Sequence, residues 1–516
     1  MKSSKYHSYL ILFVLFSISV LIRLPHLNRP LSKHHEFNAA LISIPMDIWE
    51  QTESKEHYYS PIMNFQNEGD RNINNVTIEG IQKNGNFYYL SFPCLTYLLP
   101  YSVFNLFGIG HSPLALQCFN LLTHLICIIL IFKIILFVTS SDSSPLWKSK
   151  KVALLTAAIF TFSPTPLWFY GNGYTHHTLV LVFILWNILT ILKMTFSTRP
   201  ISMVQWITLF TSLTLAILTT WTGHLLAFIL FCYSILLWYR GNKIYIRISI
   251  VALTSVFVGS ALTFWQYSSV VGADIYLGYL YDRFFDRSGL SMGFITSTAH
   301  LIFAIGKWYI IGYLPILILI LFQLKIARFQ FSQKERTFLT IMLILTFSHH
   351  FLLGEFTTAH NYSVLIDGVL IAGIASILML RIIEKGKHSK LMLFMVVFVI
   401  AGSIGQYYYI NRVGQYGQNG DRYDAMKNIG ETIKNNSSSE DVIFVQNLLD
   451  KPATQVMYYS KRNFHHVHNR DTVMQLMIKS NLKQGKLFVI SDQEVVKIQN
   501  IRTSSSSIDF QTDFEQ

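Results

Sequence analysis

Just past its first apolar run the chain carries Lys33-His34-His35-Glu36-Phe37-Asn38. One carboxylate and two imidazoles are ill suited to hydrocarbon, where ionisable groups are costly. They are suited to proton transfer. A carboxylate at such a boundary acts as general base toward a hydroxyl or amine when desolvation and neighbours set its proton affinity. His34 and His35 have three roles open to them: tuning Glu36, binding a metal, or contacting phosphate. A plainer alternative is a solvated helix start, because an acid in a first turn favours the helix dipole.

Three further groups lie between apolar runs. Tyr170-Gly171-Asn172-Gly173-Tyr174-Thr175-His176-His177 reads as a tight turn, with histidines placed for a phosphate or a metal or as interfacial caps. Adjacent histidines do not share a helix face, so the pair alone makes a poor two-ligand zinc site. Asp282-Arg283-Phe284-Phe285-Asp286-Arg287 falls in a long loop over 268–300. Its arginines suit bidentate phosphate binding or local pairing with the two aspartates. Thr357-Thr358-Ala359-His360-Asn361-Tyr362 reads as a short polar loop, functional or merely capping the next helix.

The elements that must position these groups are membrane helices. The chain is 51% hydrophobic and 13% charged, with a mean hydropathy of +0.38. A soluble domain averages about 25% charged residues. Apolar runs predict a first helix over 8–25 and further spans near 112–139, 152–169, 177–196, 204–220, 224–239, 248–267, 302–323, 337–353, 363–380 and 391–409. That is about eleven helices by length. Met1–Ile22 resembles a secretory leader, but no small-residue cleavage site follows, so it reads as an uncleaved first helix. The four cysteines Cys94, Cys118, Cys127 and Cys232 form no metal-type pair and read as small buried apolar residues.

The net charge of +13 does not indicate nucleic acid, because no basic stripe with interleaved aromatics is present. The cations fall in alternate loops: Lys148, Lys150 and Lys151; Lys193 and Arg199; Arg240, Lys243 and Arg247; Lys325, Arg328, Lys334 and Arg336; Arg381, Lys385, Lys387 and Lys390. The loops near 170–176, 220–223 and 354–362 have none. This asymmetry puts the N-terminus inside and all four chemical groups outside. Two regions follow. Residues 1–410 form a membrane module, with a polar outer segment over 26–110 that holds a broken apolar helix along the interface at Phe92–Phe107. Residues 411–516 form a small extracytoplasmic α/β appendage. Its expected elements are helices at Asp421–Asn435 and Ala453–Ser460 and strands at Asp441–Val445 and Lys486–Ser491, with a loose Ser504–Ser507 stretch.

With these residues in view, the chain resembles the GT-C superfamily of membrane glycosyltransferases that use lipid-phosphate sugars. The nearest set is glycosyltransferase family 39, with the protein mannosyltransferases and the aminoarabinose transferase of lipid A. The resemblance covers about residues 8–410. It rests on Arg23-Leu24-Pro25 followed by His35-Glu36, on Phe92-Pro93-Cys94-Leu95-Thr96-Tyr97 with Leu106-Phe107-Gly108, on Ser163-Pro164 with Tyr170-Gly171-Asn172, and on His360-Asn361-Tyr362. Relatives often carry Asp-Glu where this chain has His35-Glu36, an acid near His176 and His177, and a second tyrosine at Ser363. Asn38 is an alternative occupant of the acidic position.

The resemblance implies a mainly α polytopic protein and a single inverting displacement from a polyprenyl-phosphate sugar. Glu36, with His35 beside it, would take the acceptor's proton. Arg283, Arg287, Lys83, His177, His360 and Tyr362 would hold the donor phosphate. His34, Asn38, Asn172 and Tyr174 would shape the acceptor side. The acceptor is a lipid, a glycan or a protein. No nucleotide-binding loop is needed and none is visible, and the donor phosphate would be held by these cations or by a bound divalent metal. A surface-glycan ligase or polymerase would use the same donor. A transporter of lipid-linked sugars would need polar residues inside the spans, and a non-catalytic scaffold would tolerate loss of Glu36.

Overall fold

A computed structural model describes residues 3–32, 35–71, 73, 78–140, 145–197, 200–288, 294–326, 331–384, 389–412, 424–448, 453–491, 494–503 and 508–515. The chain divides into two compact units. The first comprises Met1–Leu27, Gln117–Phe264 and Leu277–Gly414; the second comprises Asn28–Leu116, Trp265–Tyr276 and Gln415–Gln516.

In chain order the first helices are α1 (Ser3–Arg23), α2 (Phe37–Gln51), α3 (Leu95–Phe107), α4 (Pro113–Thr139), α5 (Leu146–Phe162) and α6 (Pro164–Phe169). Then come α7 (His176–Thr195), α8 (Met203–Thr219), α9 (Trp221–Tyr239), α10 (Ile244–Val271) and α11 (Ala273–Ser288). The later ones are α12 (Phe294–Leu324), α13 (Gln333–Leu352), α14 (Gly354–Ala359), α15 (Asp367–Glu384) and α16 (Ser389–Arg412).

Among the described residues, eight helices are long and apolar enough to cross a membrane. All eleven expected positions are helical, but three fall short of that measure. The segment expected over 152–169 is two helices, because Ser163 is extended ahead of Pro164 and α5 stops at Phe162. Helix α8 has 17 residues. Helix α13 carries Lys334, Glu335 and Arg336 in its first turn. Both α8 and α13 start at capping boxes, Ser202 with Gln205 and Ser332 with Glu335.

Within the first unit, α7 and the segment Asn361–Glu384 are enclosed on nearly every side, whereas α1, α12 and α16 leave broad faces uncovered. Those faces carry Leu10, Phe13, Phe303, Ile310, Phe394 and Phe398, all exposed. Such faces match hydrocarbon and not water. Helix α15 packs on α5, α12 and α13, and α7 packs on α8.

The second unit joins α2 and α3 to a short hairpin of β1 (Ile81–Lys83) and β2 (Asn86–Tyr88). Asn84 and Gly85 turn it with φ of 53° and 82°, the left-handed pair that an Asn-Gly turn supplies at little steric cost. The C-terminal part follows as α17 (Ala425–Asn435), β3 (Val442–Gln446), α18 (Ala453–Ser460), β4 (His465–Val467), α19 (Arg470–Lys479), β5 (Gln484–Ser491), β6 (Glu494–Thr503) and β7 (Ile508–Glu515). The sheet order is β4-β3-β5-β6-β7, with β3 parallel to β4 and β5, and β5, β6 and β7 antiparallel in sequence. Val442, Phe444, Val467, Val473, Met477, Leu487 and Ile501 pack together with Ile73 as its core. The expected α/β tail is therefore present, with β4, α19, β6 and β7 as additions. The Ser504–Ser507 stretch lies outside the described residues.

Candidate active site

In the second unit, Glu36 directly precedes α2 and is 1% exposed. Its carboxylate makes no cap bond to the helix. It turns instead to the preceding loop, where Arg29 Nη1 donates to Oε2 at 2.9 Å, Arg29 Nη2 donates to Oε1, and the Ser32 amide donates to Oε2 at 2.8 Å. A planar guanidinium fits a carboxylate in this two-pronged way and fixes its orientation as well as its charge. The solvated helix start is excluded by this burial. Tyr459 of α18 closes the same loop, accepting from the Leu31 amide at 2.7 Å. Burial, with the Glu36 charge nearby, pushes its phenol up to about 12, so it stays protonated at neutral pH.

His35 is buried and holds a φ of 59°. A left-handed backbone is uncommon for histidine and marks a place where the surroundings override local preference. Its ring lies 5.8 Å from that of Phe37. Asn38 is the second residue of α2, its backbone amide donating to the His35 carbonyl at 3.1 Å. His34 lies outside the described residues. Lys83 leaves β1 and donates to the Val271 carbonyl at 2.8 Å, so its ammonium caps the C-terminus of α10.

The first unit assembles a second constellation. His176 and His177 open α7 and are buried, not set in an exposed turn. The Nε2 atoms of His177 and His349 are 3.4 Å apart, and His349 Nδ1 is 3.4 Å from Thr222 Oγ1. His350 Nε2 donates to Asp367 Oδ2 at 2.7 Å, and its Nδ1 meets Thr357 Oγ1 at 3.1 Å. The Phe356 ring is stacked on His177 with centroids 5.4 Å apart, and the Arg287 guanidinium lies over it at 5.5 Å. His360 stacks on Tyr362 at 5.0 Å, and Tyr362 stands 5.2 Å from His177. Four expected residues, His177, Arg287, His360 and Tyr362, are thus gathered here.

Other expected residues of the first unit are placed differently. Arg283 pairs with Asp286 at 3.5 Å on α11, so the arginine group sits on a helix and not in a loop. Residues 354–359 likewise form α14, where a polar loop was expected, with His360 ending it. Asn172 and Tyr174 are buried in the turn before α7, and Tyr174 packs edge-on to Phe119 at 5.6 Å. His349, His350 and Asp367 belong to no motif of neighbouring residues, yet they join this constellation. The available signal was Asp367, an acid entering a long apolar run, which by itself marks a functional candidate.

Arg23, at the end of α1, is completely buried. Its guanidinium donates to the carbonyls of Leu167 at 2.8 Å and Pro166 at 3.2 Å, to Ser19 Oγ at 2.8 Å and to His124 Nδ1 at 3.1 Å. Gly171 packs closely beside it: a Cβ there would stand 3.0 Å from Arg23 Cδ.

Among the described residues, one group of three could share a cation: ligand atoms of Asp47, Glu50 and His111 lie within 4.8 Å of one another.

No protein-family model matches the chain, and no curated protein matches it by sequence. Solved structures do. ArnT from Cupriavidus metallidurans bound to undecaprenyl phosphate aligns with a TM-score of 0.56 at 13% identity, over 93% of this chain and 93% of that one. The archaeal oligosaccharyltransferase AglB from Archaeoglobus fulgidus, in complex with an inhibitory peptide and a dolichol-phosphate, aligns at 0.54 and 11% identity over 94% of this chain and 70% of that one. The chain has the GT-C fold. The GT-C fold and the eight apolar helices make it a multi-pass membrane protein. In this fold the buried carboxylate of Glu36 directly precedes α2.

Proposed function

We propose that this protein is an inverting glycosyltransferase that moves a sugar from a polyprenyl-phosphate donor to a lipid, glycan or protein acceptor at the outer face of the cytoplasmic membrane. The observation that carries the reading is a buried, oriented carboxylate at Glu36 in a chain with the GT-C fold. The ArnT and AglB structures hold undecaprenyl phosphate and dolichol-phosphate respectively, which supports a lipid-phosphate donor here. The alternation of Lys and Arg among the loops supports an inside N-terminus, a transferase module over 1–410 and an extracytoplasmic appendage over 411–516.

The acceptor's oxygen or nitrogen attacks the anomeric carbon. The bond from that carbon to the phosphate oxygen breaks, and polyprenyl phosphate leaves with the electron pair. The acceptor's proton passes to Glu36, which Arg29 and the Ser32 amide hold in place. A carboxylate need not be a strong base for this, because the attacking hydroxyl becomes acidic as its new bond to carbon forms. In the first unit, Arg287 with His177, His360 and Tyr362 is the group best furnished to meet a phosphate, combining a guanidinium with hydrogen-bonding rings. A divalent metal would add charge stabilisation of the leaving group.

The test is sugar transfer from polyprenyl-phosphate sugars in membranes carrying the wild type or Glu36→Gln at matched expression. Transfer by the wild type and its loss in Glu36→Gln support the reading. Transfer that survives in the variant moves the base elsewhere.

A further inference from the structure

The group formed by Asp47, Glu50 and His111 lies wholly in the second unit and is separate from Glu36 and its partners. Asp47 and Glu50 are three residues apart on α2, so they share one face of the helix. His111 comes from the segment that joins α3 to α4. Its ring is held by Tyr101 and Phe104 of α3, with centroids 5.2 Å and 5.9 Å away.

Two observations point to a ligand. The His111 side chain is 1% exposed, yet neither ring nitrogen makes a hydrogen bond among the described residues. A buried imidazole in that state is costly unless something else satisfies it. Its Nδ1 also faces Glu50 Oε1 at 3.3 Å, without hydrogen-bond geometry. Two ligand atoms at about 2.0–2.1 Å from a tetrahedral zinc ion stand about 3.3 Å apart. Glu50 is half exposed, which gives a cation a path from solvent and leaves a coordination position for water.

We propose that Asp47, Glu50 and His111 bind a divalent transition-metal cation of the Zn²⁺ class. One imidazole among three ligands disfavours Mg²⁺ and Ca²⁺, which take oxygen, and favours Zn²⁺ and its neighbours. Lys461 pairs with Asp47 through Oδ2, so a bound cation would share this carboxylate with the ammonium. The site staples the C-terminal half of α2 to the segment before α4. The competing occupant is the Lys461 ammonium alone, in which case no metal binds.

The test uses the full chain in detergent, stripped with a chelator and then dialysed against Zn²⁺ alone, with metal content measured per chain. The wild type is expected to retain about one Zn²⁺, as three protein ligands and a water provide. Its melting temperature should rise with added Zn²⁺, because a ligand that binds the folded state stabilises it. Glu50→Gln and His111→Gln should each bind more than about 10-fold more weakly, since losing a ligand exceeds the loss of an outer partner. Co²⁺ should give visible absorption bands in the wild type that both variants lack. Glu50→Gln alters a half-exposed side chain and keeps the test valid if His111→Gln fails to fold. Absence of Zn²⁺ in the wild type, or unchanged binding in Glu50→Gln, overturns the proposal and leaves Lys461 as the counter-ion.

Discussion

Arg29 grips both carboxylate oxygens of Glu36, seven residues away across the loop that leads into α2. The pair is almost fully buried, with side-chain exposures of 11% and 1%. Two prongs define the plane of the carboxylate, which a single contact does not. Arg29 is therefore a positioning residue for the proposed base.

Arg29→Lys tests that role. Lysine keeps the charge but is a point donor and cannot hold both oxygens. A reacting group misplaced by about 1 Å costs roughly 100-fold in rate. The expected result is a kcat about 100-fold lower with KM little changed, measured as sugar transfer in membranes at matched expression. A KM effect alone would make Arg29 a binding residue.

The buried Arg23 predicts a stability effect in the first unit. Arg23→Lys removes the fork that serves Leu167, Pro166, Ser19 and His124 together. Each hydrogen bond to a charged group contributes about 1.5–3 kcal/mol. A loss of about 3 kcal/mol is expected, read as a lower melting temperature in detergent. Gly171→Ala, which crowds Arg23, should act in the same direction.

His350 and Asp367 form a buried pair at 2.7 Å, with side-chain exposures of 3% and 1%. Removing one partner strands the other, which typically costs about 3–5 kcal/mol. Asp367→Leu and His350→Leu should each lower the melting temperature markedly. The double variant should be less destabilised than the sum, as a double-mutant cycle would show.

Asp70 predicts a pH dependence. It accepts from Arg462 Nε at 2.9 Å and from the Asn463 amide at 2.8 Å, yet burial raises its carboxyl from 3.8 to about 6. The folded chain then binds this proton more tightly than the unfolded chain. The contribution is present in full below 3.8 and is lost as pH rises through about 6. About two pH units correspond to about 3 kcal/mol. The wild type should lose this increment of stability across that window, and Asp70→Asn should lack the slope, in melting temperatures measured against pH.

The membrane helices, their positions and the α/β character of the tail could be read from the sequence, because hydropathy is a local property that the bilayer enforces segment by segment. The helix break at Ser163-Pro164 and the hairpin at Asn84-Gly85 carried equally local signals. The consecutive aromatics Phe87-Tyr88-Tyr89 mask the alternation of so short a hairpin, and apolar residues flank the break on both sides. The motif around Glu36 was also legible, since its residues are neighbours in the chain.

Tertiary structure decided the partners. Nothing in the spacing of Arg29 and Glu36 reveals a two-pronged clasp in place of a solvated helix start. Joining His177 to His349 and His350 to Asp367 takes helix packing across 172 and 17 residues of chain. The same holds for Asp47, Glu50 and His111, where an α2 face meets a segment past α3. Residue type fixes what a side chain can do locally. Which groups share a dry space, and so which charges and donors must satisfy one another, depends on packing between distant segments that no local pattern encodes.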